Sequence, residues 1–103
     1  MQICRVVGTV VSTNKTEKLA GMKLLLVRPI DLDTMEEKGG LVVSIDTVGA
    51  GEGEVVMVVA GSSSRQTQVT DAKPVDNSIV AIIDHIDLGQ TRIFDKQCDA
   101  QRA

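Results

Sequence analysis

Aromatic residues are almost missing from this chain. Phe94 is the single one among 103 residues, with neither tryptophan nor tyrosine. Proteins that bind single-stranded nucleic acid usually stack bases on exposed aromatics, so that class has little support. Clustered positive charge is missing too. The 11 lysines and arginines are scattered among 14 acidic residues, for a net charge of −3, whereas binding to phosphate backbones depends on basic clusters. The two cysteines, Cys4 and Cys98, stand near opposite ends without metal-ligand spacing. A disulfide framework or a Cys-x-x-Cys site is therefore unsupported. No apolar run approaches the roughly 20 residues of a membrane helix. The opening Met1-Gln2-Ile3-Cys4-Arg5 lacks the charged-then-apolar layout of a signal peptide. The expectation is a soluble, cytoplasmic chain without cofactor, membrane or nucleic-acid partner.

Long 3.6-residue apolar periodicity is also absent. What is present is five runs of strand character: Ile3–Thr13, Met22–Ile30, Leu41–Asp46, Glu54–Ala60 and Ser78–Leu88. All but the second are dominated by valine or isoleucine, which favour strands. The second is Leu-rich, but it is short, and Pro29 is expected to end it. Turn-formers separate the runs: Asn14-Lys15, Ala20-Gly21, Gly39-Gly40, Gly49 to Gly53, and Pro74 to Asn77. This pattern predicts an all-β fold, a small barrel or sandwich, as one domain over 1–96 with a polar tail, 97–103. Leu24–Val27, Val55–Val59 and Ile79–Ile83 are apolar on both faces. A half-exposed strand would alternate, and almost no helix is available to cover the outer face. Other copies of the same chain are expected to cover it, as a homo-oligomer.

Two motifs invite a chemical reading. Gly49-Ala50-Gly51-Glu52-Gly53 resembles a phosphate-binding loop, but such loops lead into a helix whose N-terminal amides hold the anion. Here a strand follows, Glu52 and Glu54 would repel a phosphate, and the loop has no lysine. A strand connection with glycines at positive φ fits instead, as does close approach of backbones around a symmetry axis. On this reading Gly51→Val is expected to disturb the assembly, because a β-branched residue tolerates neither positive φ nor close approach. Gly61-Ser62-Ser63-Ser64-Arg65 lacks the second glycine of a nucleophile elbow, and Arg65 cannot replace a catalytic lysine as base. Ser63 stands three residues before Gln66, the spacing of a capping box that would start one helical turn. His85 and Asp87 would share a strand face, so a Ser–His–Asp arrangement is conceivable, but nothing in the sequence brings a serine to them. A surface histidine is the simpler reading, and no enzyme is expected.

The segments "MQICRVVGTVVSTNK", "LAGMKLLLVRPID", "IDTVGAGEGEVVMVVAGSSSRQ" and "PVDNSIVAIIDHID" together resemble the EutN/CcmL family, the pentameric vertex proteins of bacterial microcompartment shells. The resemblance spans Met1 to about Lys96. Its most specific parts are Gly49-Ala50-Gly51, Gly61-Ser62-Ser63-x-Arg65 with Gln66, and Pro74-Val75-Asp76. Ser64 stands where the family usually has alanine. The resemblance implies a five-stranded OB-like β-barrel with a short helical turn, assembled as a cyclic homopentamer that closes a shell of hexameric tiles. It implies no catalysis and no cofactor. It also implies a narrow central pore, for which Gly49, Ala50, Gly51, Ser62, Ser63 and Arg65 are the candidates. The tail around "TRIFDK" favours a catabolic shell (ethanolamine, propanediol or glycyl-radical) over a carboxysome. The alternative is a small β-barrel module that binds nucleic acid or a peptide.

Overall fold

The computed structural model describes residues 1–11, 23–60 and 77–99. They form eight strands and one helical turn: β1 (Gln2–Val10), β2 (Leu24–Asp31), β3 (Glu36–Glu37), β4 (Val42–Asp46), β5 (Val55–Ala60), β6 (Asn77–Ile82), β7 (His85–Leu88), β8 (Thr91–Asp95) and α1 (Lys96–Asp99). Five of them close on themselves, because the sheet runs β1-β5-β6-β4-β2 and β2 pairs back to β1. Counted along the chain, the barrel circuit is first, second, third, fifth, fourth. Every rung is antiparallel except β4 with β6, where Ile45 meets Ser78 and Asp46 meets Ile79 in parallel. This is the expected all-β, OB-like barrel. Closure removes the free edges that a short open sheet would expose.

Alternation sorts side chains to the two faces of the barrel wall. Cys4, Val6, Leu25, Val27, Val56, Val58 and Ile79 point inward, with Val42 and Ile82 packed against them. These are the β-branched and Leu-rich runs read from the sequence, and with Cys4 they fill the lumen without an aromatic. Ser44, opposite Leu25, is buried on the lumen side and Ser78, opposite Val59, on the other face of the wall; their hydroxyls have no partner among the described residues.

The structure departs from the sequence expectations in three places. Pro29 does not end its strand: β2 runs on to Asp31 and pairs with β3, Ile30 opposite Glu37. The Pro29 carbonyl accepts a bond from the Lys38 amide at 2.8 Å, so only the return bond from a missing N–H is lost. The run Ser78–Leu88 is not one strand. It breaks at Ile83–Asp84, where the Ile83 amide bonds to the Val55 carbonyl and the Lys96 amide to the Asp84 carbonyl, each at 2.8 Å. The chain then turns out into a β7–β8 hairpin. Finally, the outer face is partly covered from within. Phe94 of β8 packs with Val55 and Ile30, flanked by Ile3, Met35, Ile83 and Ile86. The start of strand β5 is therefore apolar on both sides because Val55 lies under this hairpin while Val56 faces the lumen, not only because another copy must cover it. The capping-box turn expected at Ser63 lies outside the described residues; the helical turn seen is α1.

Candidate functional site

The loop between β4 and β5 is fastened at both ends by carboxylates. Asp46 ends β4, and its side chain is 2% exposed. Its Oδ1 accepts the amides of Val48 and Gly49, both at 3.0 Å, the turn that aspartate makes with its own following backbone. The Lys23 ammonium lies 3.7 Å from Asp46 Oδ2 and donates to the Ala50 carbonyl at 2.8 Å. At the other end, Glu54 Oε1 accepts the Gly51 amide at 2.7 Å. Its Oε2 meets Lys96 of α1 at 2.9 Å. The hydrogen bond from Lys96 holds the Glu54 carboxyl below the usual range, against a smaller opposing push from burial. The Gly53 amide bonds to the Val6 carbonyl, and Arg5 donates to the Gly53 carbonyl, both at 2.8 Å.

The consequence is chemical. The amides of Gly49, Gly51 and Gly53 are all engaged inside the chain, so none forms part of an anion cradle. A phosphate loop needs those donors pointing at the ligand. The loop's work is instead conformational. Gly49 and Gly53 adopt φ of +80° and +89°, a region that residues with a Cβ rarely occupy. Gly51 is not among the positive-φ residues, and a Cβ built on it meets only Glu54 Oε1 at 3.7 Å. The strain expected of Gly51→Val therefore belongs to its neighbours. Ala50 is 0% exposed and packs into the lumen cluster. It is the buried side chain of the loop, while Gly49, Glu52 and Gly53 are exposed. Of the candidate pore residues, the structure thus brings Gly49, Ala50 and Gly51 into one clamped loop; Ser62, Ser63 and Arg65 lie outside the described residues. The clamp residues Arg5, Lys23, Glu54 and Lys96 carry no local signature. Only Asp46-x-Val48-Gly49 had the pattern of an Asx turn.

His85 sits in a shallow groove of about 490 Å³ with Asp84, Arg92, Asp95, Lys96 and Gln97. Its Nε2 is 3.8 Å from Asp87 Oδ2, so the two neighbour each other as expected. Asp87, however, is held by Arg92 Nε at 2.9 Å, which keeps its carboxyl below the usual range. A triad carboxylate would be turned to the imidazole instead. Among the described residues no group of three histidine, cysteine or acidic side chains is arranged to hold a metal.

Comparison with known proteins adds an independent line. Residues 1–84 match the family model described as "Ethanolamine utilisation protein EutN/carboxysome". The chain is 44% identical over 87 residues to the bacterial microcompartment shell vertex protein GrpN of Rhodospirillum rubrum, covering 84% of this chain and 97% of that one. It is 39% identical over 106 residues to the carboxysome shell vertex protein CcmL of Synechocystis sp., covering 98% of this chain and all of that one, 100%. Among solved structures, CcmL of Gloeobacter violaceus superposes with a TM-score of 0.87 at 37% identity, over 94% of this chain and 99% of that one. The R. rubrum GrpN structure, titled a pentameric microcompartment shell protein, superposes with a TM-score of 0.76 at 42% identity, over 86% of this chain and 100% of that one. The names of these relatives are those of structural shell proteins, not enzymes.

Proposed function

The chain belongs to the EutN/CcmL family, and from that premise we propose that it forms the pentameric vertex of a bacterial microcompartment shell in the cytoplasm. The observation that supports the reading best is the closed barrel, shared over the whole length of a relative that is itself pentameric. Its function is geometric. A sheet of hexagonal tiles is flat, and five-fold units let it close into a polyhedron. Two sets of contacts then matter: subunit to subunit within the ring, and ring to hexameric tile. The first is cyclic and heterologous, each copy offering one patch to a different patch on the next. Obligate contacts of that kind are large and apolar.

Within this reading, the Gly49–Gly51 loop and the Ser62–Arg65 turn stand at the five-fold axis. The clamp on the loop suits that place, since an element repeated five times about an axis must hold one shape. The segment Thr91–Lys96 supports a catabolic shell. Relatives of carboxysome and of other microcompartment shells match at comparable identity, so that assignment rests on the segment alone. Native mass spectrometry of the purified chain tests the proposal. A five-subunit species is expected; a stable monomer or a hexamer would rule the vertex out.

A further inference from the structure

The outer face of the barrel is divided. On one side Ile3, Ile30 and Val55 lie under Phe94 and Ile86 of the hairpin. On the other side Leu26 and Val43, paired across β2 and β4, face outward with Leu41. Leu26 is half-buried, and Leu41 is 51% and Val43 48% exposed, with no cluster among the described residues packed over them. Along the boundary run two arginines. Arg5 and Arg28 are direct cross-strand partners of β1 and β2, on the face opposite Cys4 and Val27. Like charges placed directly opposite each other are unfavourable. Arg5 is engaged with the Gly53 carbonyl. Arg28 is half-buried, and its Nε is buried without a hydrogen-bond partner among the described residues. Buried guanidinium donors are nearly always satisfied.

The same chain carries the complement. Asp33, Glu36 and Glu37 form an exposed acidic ridge around β3, and none of their carboxylates makes an ion pair among the described residues. Lys38, which follows Glu37 in sequence, is bound to Asp31 at 2.8 Å. We propose that the Arg5–Arg28 boundary and the adjoining Leu26–Leu41–Val43 face form a docking surface for a second copy of this chain, whose β3 ridge supplies the carboxylate that completes Arg28. The occupant is argued from charge complementarity: an Arg28 guanidinium whose Nε lacks an acceptor, and a ridge of carboxylates without a cation, both among the described residues. The two patches differ, as a head-to-tail ring requires. The exposed leucine and valine supply the apolar area beside the ion pair.

This inference rests on the ring proposed above, and the experiment separates the two. Wild-type, Arg28→Glu, Val43→Asp, and Arg28→Glu combined with Glu36→Lys and Glu37→Lys are compared by native mass spectrometry and sedimentation, with far-UV circular dichroism as the check on folding. The expected result is a wild-type pentamer and at least a tenfold rise in the concentration at which Arg28→Glu and Val43→Asp dissociate. The triple variant is expected to regain the ring. Val43 is half exposed in the single chain, so its replacement tests the surface even if Arg28→Glu fails to fold. A wild-type pentamer that Val43→Asp leaves intact would overturn the docking surface and spare the vertex reading. A triple variant that stays dissociated would overturn the β3 ridge as the source of the carboxylate. A monomeric wild type would overturn the vertex reading itself.

Discussion

At Gly49 the backbone stands at φ +80° and the ideal Cβ position is open, so conformation alone opposes a side chain there. Gly49→Ala is expected to cost about 1–2 kcal/mol, the usual penalty for a Cβ in the left-handed region. Gly51→Ala, free of that strain, should cost less than half as much; urea unfolding of both variants checks the difference. Which glycine of the Gly49–Gly53 run turns left-handed was not legible in the sequence, because three glycines in five residues admit several loop paths. The choice is made by Asp46 and Glu54, which catch the amides of Gly49 and Gly51. Two other single residues invite tests. Ser44 and Ser78 bury hydroxyls without a partner among the described residues. Removing an unpaired buried hydroxyl is nearly neutral, so Ser78→Ala should stay within about 1 kcal/mol of wild type in the same assay. Cys4 is buried, and desolvation pushes its thiol up to about 11. The raised value means that its stabilisation is whole below the unfolded value of 9.0 and is lost as pH climbs towards about 11. A thiol reagent at pH 8 should leave Cys4 unmodified in the folded protein and modify it on unfolding; reaction in the folded state would contradict the packing.

Elements show why some of the fold was readable and some was not. Barrel strands β1, β2, β4, β5 and β6 each carry a β-branched or leucine run bounded by turn residues, and each was found from that local signal. The β7–β8 hairpin was missed because the apolar pattern of Ile79–Ile83 continues into Ile86 and Leu88. The break between them is imposed by the bonds of Ile83 to Val55 and of Lys96 to Asp84, which connect residues far apart in sequence. Inference from apolar strands to covering copies was likewise incomplete, since Phe94, the lone aromatic, does part of the covering. An isolated two-stranded hairpin is marginal in water, so Phe94 should hold it. Phe94→Ala is expected to cost about 3–5 kcal/mol. Amide exchange should rise first in β7 and β8 and spare β1 and β5; equal loss across the barrel would mean that the hairpin is not a separate layer. The α1 turn is tied to the loop by Lys96 and Glu54. Glu54 has a lowered folded pKa, so its contribution is present above the ordinary value of 4.5 and fades as pH falls through the folded one. The urea midpoints of wild type and Glu54→Gln should therefore differ at neutral pH and converge in acid. A gap that persists at low pH would assign the effect to geometry instead of charge.

For the whole molecule, the question is whether the chain is complete alone. A barrel of this size buries a modest core, and it leaves Leu41, Val43, Val48 and Leu88 exposed, the last at 68%. If the ring covers part of this surface and the subunits unfold as they separate, stability becomes a property of concentration as well as of contacts. For a folded pentamer in equilibrium with five unfolded chains, a tenfold rise in concentration stabilises each chain by four-fifths of RT ln 10, about 1.1 kcal/mol. For a domain near this length such a change moves the thermal midpoint by about 4–8 °C. Scanning calorimetry at two concentrations a decade apart should show that rise. Arg28→Glu should lower the midpoint at both concentrations and keep the rise between them, since a weakened ring that still unfolds as it separates obeys the same coupled equilibrium. A flat wild-type response would mean either that the monomer is stable by itself or that the ring survives unfolding of its parts. Native mass spectrometry of the sample held below the midpoint tells these apart, because only the second retains five subunits.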